Sequence, residues 1–96
     1  MDWKVVFAPQ ALEQLEQIVR FIAHDDPEAG VRFGDYLLDR AVSLAQFPEL
    51  GTPYRKRPDI RRLLCKNYFI YYRLRRDKPV VEIMDFWHSA RREPLI

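Results

Sequence analysis

Residues 60–87 read IRRLLCKNYFIYYRLRRDKPVVEIMDFW, and the organisation of the chain follows from how this stretch divides. Three runs rich in β-branched and aromatic residues, Ile60–Lys66, Tyr68–Arg75 and Val80–Trp87, carry the signature of strands. Asn67 separates the first two runs, and Arg76-Asp77-Lys78-Pro79 separates the last two. Connections this short make neighbouring strands antiparallel, so the stretch predicts a meander. Period-two alternation puts Tyr68, Ile70, Tyr72 and Leu74 on one face of the middle strand. Phe69, Tyr71, Arg73 and Arg75 fall on the other, an aromatic and cationic face expected to be open. The last run, VVEIMDF, is apolar on both sides, as a strand inside a sheet would be.

Moving towards the N-terminus, Glu49–Asp59 (ELGTPYRKRPD) holds one glycine and two prolines and reads as a loop. Before it the apolar period changes from two to that of a helix. Phe33, Leu37, Ala41, Leu44 and Ala45 form the stripe of a helix predicted from Pro27 to about Phe47, where Pro48 stops it. Leu12, Leu15, Ile18, Val19 and Ile22 form the stripe of an earlier helix that opens on Pro9, a residue suited to a first helical turn. Between them Asp26 is placed to cap the second helix and Pro27 to start it, so the two helices form an antiparallel hairpin. Trp3–Ala8 (WKVVFA) reads as a further strand. The order is β-α-α-β-β-β: an α+β fold with a helical hairpin packed on one face of a mainly antiparallel sheet, expected as one domain over residues 1–96.

A chain of 96 residues buries a small core, which leaves stability marginal unless a partner adds to it. The net charge of +2 conceals an asymmetry. Residues 1–54 carry four basic against nine acidic side chains, and residues 55–96 carry twelve against five. A basic half of this kind favours an acidic polypeptide segment or a polyanion as partner. The single cysteine, Cys65, excludes an internal disulfide, suits a reducing compartment and lies in an apolar run where a buried thiol is expected. No apolar stretch approaches the roughly 20 residues of a membrane span, and the first residues carry no basic-then-apolar signal, so the cytoplasm is expected. His24, His88 and Cys65 show no metal-ligand spacing, and there is no glycine-rich phosphate loop; no cofactor or metal is expected.

Over essentially its whole length the sequence resembles the RelE/ParE toxin superfamily of type II toxin–antitoxin systems. The helical part PEAGVRFGDYLLDRAVSLAQFPELGTP resembles the ParE branch, including the Phe-Pro-Glu-Leu-Gly exit from the second helix. The sheet part carries Arg61 and Leu63, then Tyr68, Ile70, Tyr72 and Arg73, then Phe86, Trp87, His88 and Arg91 in FWHSAR. The resemblance implies a toxin neutralised by a cognate antitoxin, with which it forms a hetero-oligomer. It also implies one of two targets: DNA gyrase, poisoned by binding, for ParE-like members, or messenger RNA, cut on the ribosome, for RelE-like ones. A non-toxic accessory or decayed toxin domain is the third reading.

Cutting RNA without a metal needs a base, an acid and cations around the phosphate. His88 is the side chain suited to proton transfer near neutrality, with Arg61, Arg73 and Arg91 as phosphate clamps. His24 reads instead as a cation closing the first helix. RNA-cutting relatives carry a tyrosine or another polar catalytic residue near the place of His88. Here Ser89, Ala90 and the tail Glu93-Pro94-Leu95-Ile96 supply no aromatic, and Tyr71 could substitute only from the open face. The gyrase reading is therefore preferred, with no catalytic residue. It gives Arg61, Arg62, Arg73, His88, Arg91 and Arg92 as the target-binding set. For the antitoxin, an acidic amphipathic segment, the expected contacts are Leu15, Val19, Tyr36, Phe69, Tyr71 and Arg75.

Overall fold

The computed structural model describes residues 3–96. β1 (Lys4–Phe7) leads into α1 (Pro9–Ala23) and α2 (Pro27–Ser43). Then come β2 (Thr52–Tyr54), β3 (Arg57–Cys65), β4 (Tyr68–Arg75) and β5 (Val80–His88). The strands make one sheet in the order β1-β5-β4-β3-β2, with β1 parallel to β5 and every other neighbour antiparallel. This is the α+β fold that the alternation of apolar periods predicts.

Local chemistry sets the helix starts. Pro9 and Pro27 each stand at the beginning of a helix, and the Asp26 carboxylate accepts the Ala29 N–H at 3.2 Å. The two helices then approach closely because α2 presents Gly30 and Gly34 to α1. A β-carbon on Gly30 would lie 2.8 Å from the Val19 carbonyl oxygen, and one on Gly34 would lie 2.7 Å from a Val19 methyl. Beneath the hairpin Ala11, Leu15, Ile18, Leu37, Ala41 and Leu44 share a core with Cys65, Ile70, Tyr72, Val81, Ile83 and Phe86. A fully buried Leu such as Leu37 contributes about 1.5–3 kcal/mol relative to exposure.

Four expectations are corrected. Glu49–Asp59 is not all loop: Thr52–Tyr54 forms β2, and β3 begins at Arg57. Thr52 pairs with Arg62 and Pro53 with Arg61 at the sheet's edge, where a strand tolerates proline, and the register then shifts at Tyr54. The sheet thus has five strands, not four. Helix α2 ends at Ser43, before Phe47, where the Ser43 hydroxyl bonds the Arg40 carbonyl at 2.6 Å. On α1 the buried stripe runs through Ala11, Leu15 and Ile18, while Leu12 is half exposed.

The fourth correction concerns the back of the sheet. Tyr71 is not on an open surface: it is buried with Tyr54 and Ile60 in a second small core that Phe69, Met84, Trp87 and Ile96 flank. The tail holds this cover in place. The Trp87 indole N–H donates to the Arg92 carbonyl at 2.8 Å, Arg57 donates to the Ile96 carbonyl at 2.7 Å, and Pro94 is buried.

Candidate functional site

The cations of β3 and β4 are largely neutralised within the chain. Arg73 and Arg75 both reach Glu82, at 2.7 and 3.3 Å. Arg61 and Arg76 share Glu49, each at 3.5 Å, and Arg57 pairs with Asp59 at 3.0 Å. Lys56 and Arg62 hold Glu93 at 2.8 and 3.5 Å. The hydrogen bond from Arg73 keeps the Glu82 carboxyl below its ordinary range, and that from Lys56 does the same for Glu93.

Several of these arginines also brace the backbone. Arg61 donates to the Gly51 carbonyl at 2.6 Å, beside the Tyr72 hydroxyl, which accepts the Gly51 N–H at 2.8 Å and donates to the Pro48 carbonyl at 2.9 Å. Gly51 is needed here, since a β-carbon would lie 2.8 Å from the Arg62 carbonyl oxygen. The Arg62 guanidinium covers the Phe69 ring at 4.2 Å.

Arg91 and Arg92 differ: among the described residues neither makes an ion pair. Both are exposed, and the Arg91 guanidinium rests on the Trp87 ring at 4.0 Å. They border an open cleft between α1 and the chain leaving β5, formed by two adjoining hollows of about 420 and 410 Å³ that share Gln14 and Arg91. Gln10, Gln14 and Gln17 line one wall from successive turns of α1, with Phe21 beyond them. Trp87, His88, Arg91, Arg92 and Leu95 line the other. Ile18, Tyr68 and Phe86 also border it, and burial pushes the Tyr68 hydroxyl above its ordinary pKa.

His88 closes β5 beside the β3–β4 hairpin, a two-residue turn in which Lys66 adopts φ 58°. Its Nδ1 accepts the Ala90 N–H at 3.0 Å, so the neutral ring carries its proton on Nε2, and the Asn67 side-chain amide, 3.2 Å away, can accept that proton only through its oxygen. The Tyr68 ring packs edge-on at 5.0 Å. Nδ1 is thus occupied by the protein. On α1, Gln10 donates to Asp85 Oδ2 at 2.8 Å, and Asp85 Oδ1 accepts the Phe86 N–H at 2.9 Å. Asp85 is fully buried, which pushes its carboxyl upward against the opposing pull of the Gln10 hydrogen bond.

The structure brings together His88, Arg91 and Arg92 but not Arg61, Arg62 and Arg73. Arg73 stands five residues along β4 from Tyr68, the residue opposite His88, a separation of about 16 Å. Arg61 pairs with Tyr72, four residues along, or about 13 Å. Of the expected antitoxin contacts, Leu15 and Tyr71 are buried, and Val19 faces the glycines of α2. Tyr36 lies under Lys66, Phe69 lies under Arg62, and Arg75 is exposed beside Glu82. These six occupy several surfaces.

The glutamine wall and Asp85 were missed in the sequence, although Gln10, Gln14 and Gln17 recur at helical spacing. Among the described residues no group of three or more His, Cys, Asp or Glu could hold a metal, and no helix is long and apolar enough to cross a membrane. Cys65 is buried, and burial raises its thiol pKa.

The architecture is shared with solved structures from toxin–antitoxin systems. The chain superposes with a TM-score of 0.78 on a structure of the chromosomal ParDE system from P. aeruginosa, at 15% identity over 90% of this chain and 95% of that one. For the RelBE2 complex of Mycobacterium tuberculosis the TM-score is 0.70, at 21% identity over 92% and 99%. For the E. coli toxin RelE in the free state it is 0.69, at 18% identity over 94% and 86%. These likenesses show a shared fold.

The chain belongs to the family of ParE toxins of type II toxin–antitoxin (parDE) systems, whose family model matches residues 5–93. It is also 33% identical over 89 residues to Y4kP of Sinorhizobium fredii, a candidate toxin, covering 91% of this chain and 88% of that protein.

Proposed function

We infer that this ParE-family chain is a toxin held inactive by a cognate antitoxin, and that it acts in the cytoplasm by binding DNA gyrase rather than by cutting RNA. One observation carries the choice of target. RNA cleavage here would need His88 as the proton carrier, with Arg61 and Arg73 at the phosphate. His88 has Nδ1, the nitrogen that could take up a proton, engaged by the Ala90 N–H, and the two arginines lie about 13–16 Å away along their strands. Arg61 and Arg73 are also engaged, by the Gly51 carbonyl and Glu82. A protein ligand needs no proton donor, only a surface.

The ribonuclease reading keeps one support: His88, Tyr68 and Arg91 border the same hollow. Expression of the toxin in cells, with the DNA-damage response and transcript ends read in parallel, separates the two. Induction of the damage response with intact transcripts is expected. Transcript cleavage without that response would refute the gyrase reading.

A further inference from the structure

We propose that the cleft between α1 and the exit of β5 is the surface on which the toxin seats an acidic segment of its protein target. This rests on the gyrase reading above and deepens it. Three features of the cleft converge.

The first is charge. The arginines of the sheet lean on Glu49, Glu82 and Glu93, whereas Arg91 and Arg92 stand side by side with no ion pair among the described residues. The carboxylate on the cleft wall, Glu93, is already held by Lys56 and Arg62. Asp85 lies fully buried beneath Gln10; Arg91 attracts its carboxyl but forms no ion pair with it. The open surface of the cleft is therefore cationic, and carboxylates are the complementary groups.

The second is hydrogen bonding. Gln10, Gln14 and Gln17 present amides along one side of α1, each able to donate and to accept. From Gln10 to Phe21 this wall spans about 16 Å, the length of roughly five extended residues. Amides of both polarities suit a peptide backbone, which offers N–H and C=O groups alternately. Asp85 fixes the first of them, because its buried carboxylate holds the Gln10 side chain in place at 2.8 Å.

The third is apolar anchorage. Phe21 is 77% exposed at one end of the cleft and Leu95 is fully exposed at the other, with the Trp87 ring between them under Arg91. Large apolar side chains in solvent beside a pair of arginines with no ion pair among the described residues match the aromatic and arginine character of protein interfaces. A nucleic acid would leave Phe21 and Leu95 uncovered, and it would find the cations of β3 and β4 already paired.

The test compares Arg91→Glu/Arg92→Glu with Lys4→Glu/Lys78→Glu. The second pair changes the net charge equally, but at the far end of the sheet, where Lys4 pairs with Val80. Both variants are assayed against purified gyrase on relaxed plasmid, at low and high salt, and for co-purification with the cognate antitoxin. The arginine variant is expected to need at least about tenfold more protein for half-inhibition, because charge steering accelerates association by 10–10³. Salt should narrow the difference. The lysine variant and antitoxin capture by both variants should match the parent.

Undiminished inhibition by Arg91→Glu/Arg92→Glu, or an equal loss in the lysine variant, overturns the proposal. So does a parallel loss of antitoxin capture, which would make the cleft the antitoxin's seat. Parental toxin that leaves gyrase untouched fails the gyrase reading itself and takes the proposal with it, an outcome visible before any variant is made.

Discussion

Gly30→Ala tests the packing of the helical hairpin, because two effects of opposite sign compete there. Replacing glycine by alanine inside a helix ordinarily stabilises by about 0.5–1 kcal/mol. Here the new β-carbon would meet the Val19 carbonyl oxygen at 2.8 Å, the Ala23 β-carbon at 2.9 Å and the Ala23 nitrogen at 3.0 Å. Two of these atoms are backbone, so relief requires α1 to move away from α2. Overpacking of this kind costs about 1–3 kcal/mol, which leaves a net destabilisation of roughly 1–2 kcal/mol.

Gly34→Ala is the control, since its β-carbon meets only a Val19 methyl, at 2.7 Å. Val19 is stiff at χ1, so the single change should still destabilise. In a Val19→Ala background, however, Gly34→Ala should stabilise by about 0.5–1 kcal/mol as the helix-propensity gain re-emerges. Urea unfolding measures all of these, provided the slope with denaturant is unchanged. A Gly30→Ala protein more stable than the parent would refute the close approach of the two helices.

Three further outcomes follow from the same structure. Leu37→Ala removes a fully buried side chain from the main core and should cost about 2–5 kcal/mol in urea unfolding; a loss below about 0.5 kcal/mol would contradict its placement. Tyr72→Phe strips the hydroxyl from the Gly51 N–H and the Pro48 carbonyl and should cost about 1–3 kcal/mol, with faster proteolysis of the loop before β2. Burial raises the Asp85 carboxyl, so the native state holds that proton to a higher pH than the unfolded chain does, and stability falls as pH rises through the window between the two values. Asp85→Asn removes this dependence. The stability of the parent relative to Asp85→Asn should therefore improve as pH is lowered from 8 towards 4, and a difference independent of pH would refute it.

What the sequence disclosed depended on how local the deciding interaction is. The start of α2 was legible because Asp26 and Pro27 act within one turn, and the three long strands because their alternation is intrinsic. Thr52–Tyr54 was not, since three residues around Pro53 become a strand only by pairing with β3. Ala11 was passed over for Leu12 because side-chain size in a sequence does not reveal how tightly α1 meets the sheet. The pairing of Arg73 was hidden for a sharper reason. From Tyr68 opposite His88, regular pairing would set Arg73 opposite Ile83, but the irregularity after Tyr71 moves it opposite Glu82 and neutralises it. That single shift separates a cation available to a ligand from one bound within the sheet. Part of the cover over Tyr71 likewise comes from the tail, where Ile96 lies 25 residues further along. His88, Arg91 and Arg92 were legible as a group because they sit within five positions of one another.

The central claim, that this toxin acts by contact with a protein and not by proton transfer to RNA, is tested most directly in vitro. Purified toxin is added to gyrase with relaxed plasmid and, separately, to ribosomes translating a defined messenger RNA. Inhibited supercoiling beside an intact transcript is the predicted result. Cleavage of the transcript with supercoiling unaffected, and with the cleavage rate falling by about 10²–10⁴ in His88→Gln, would contradict it.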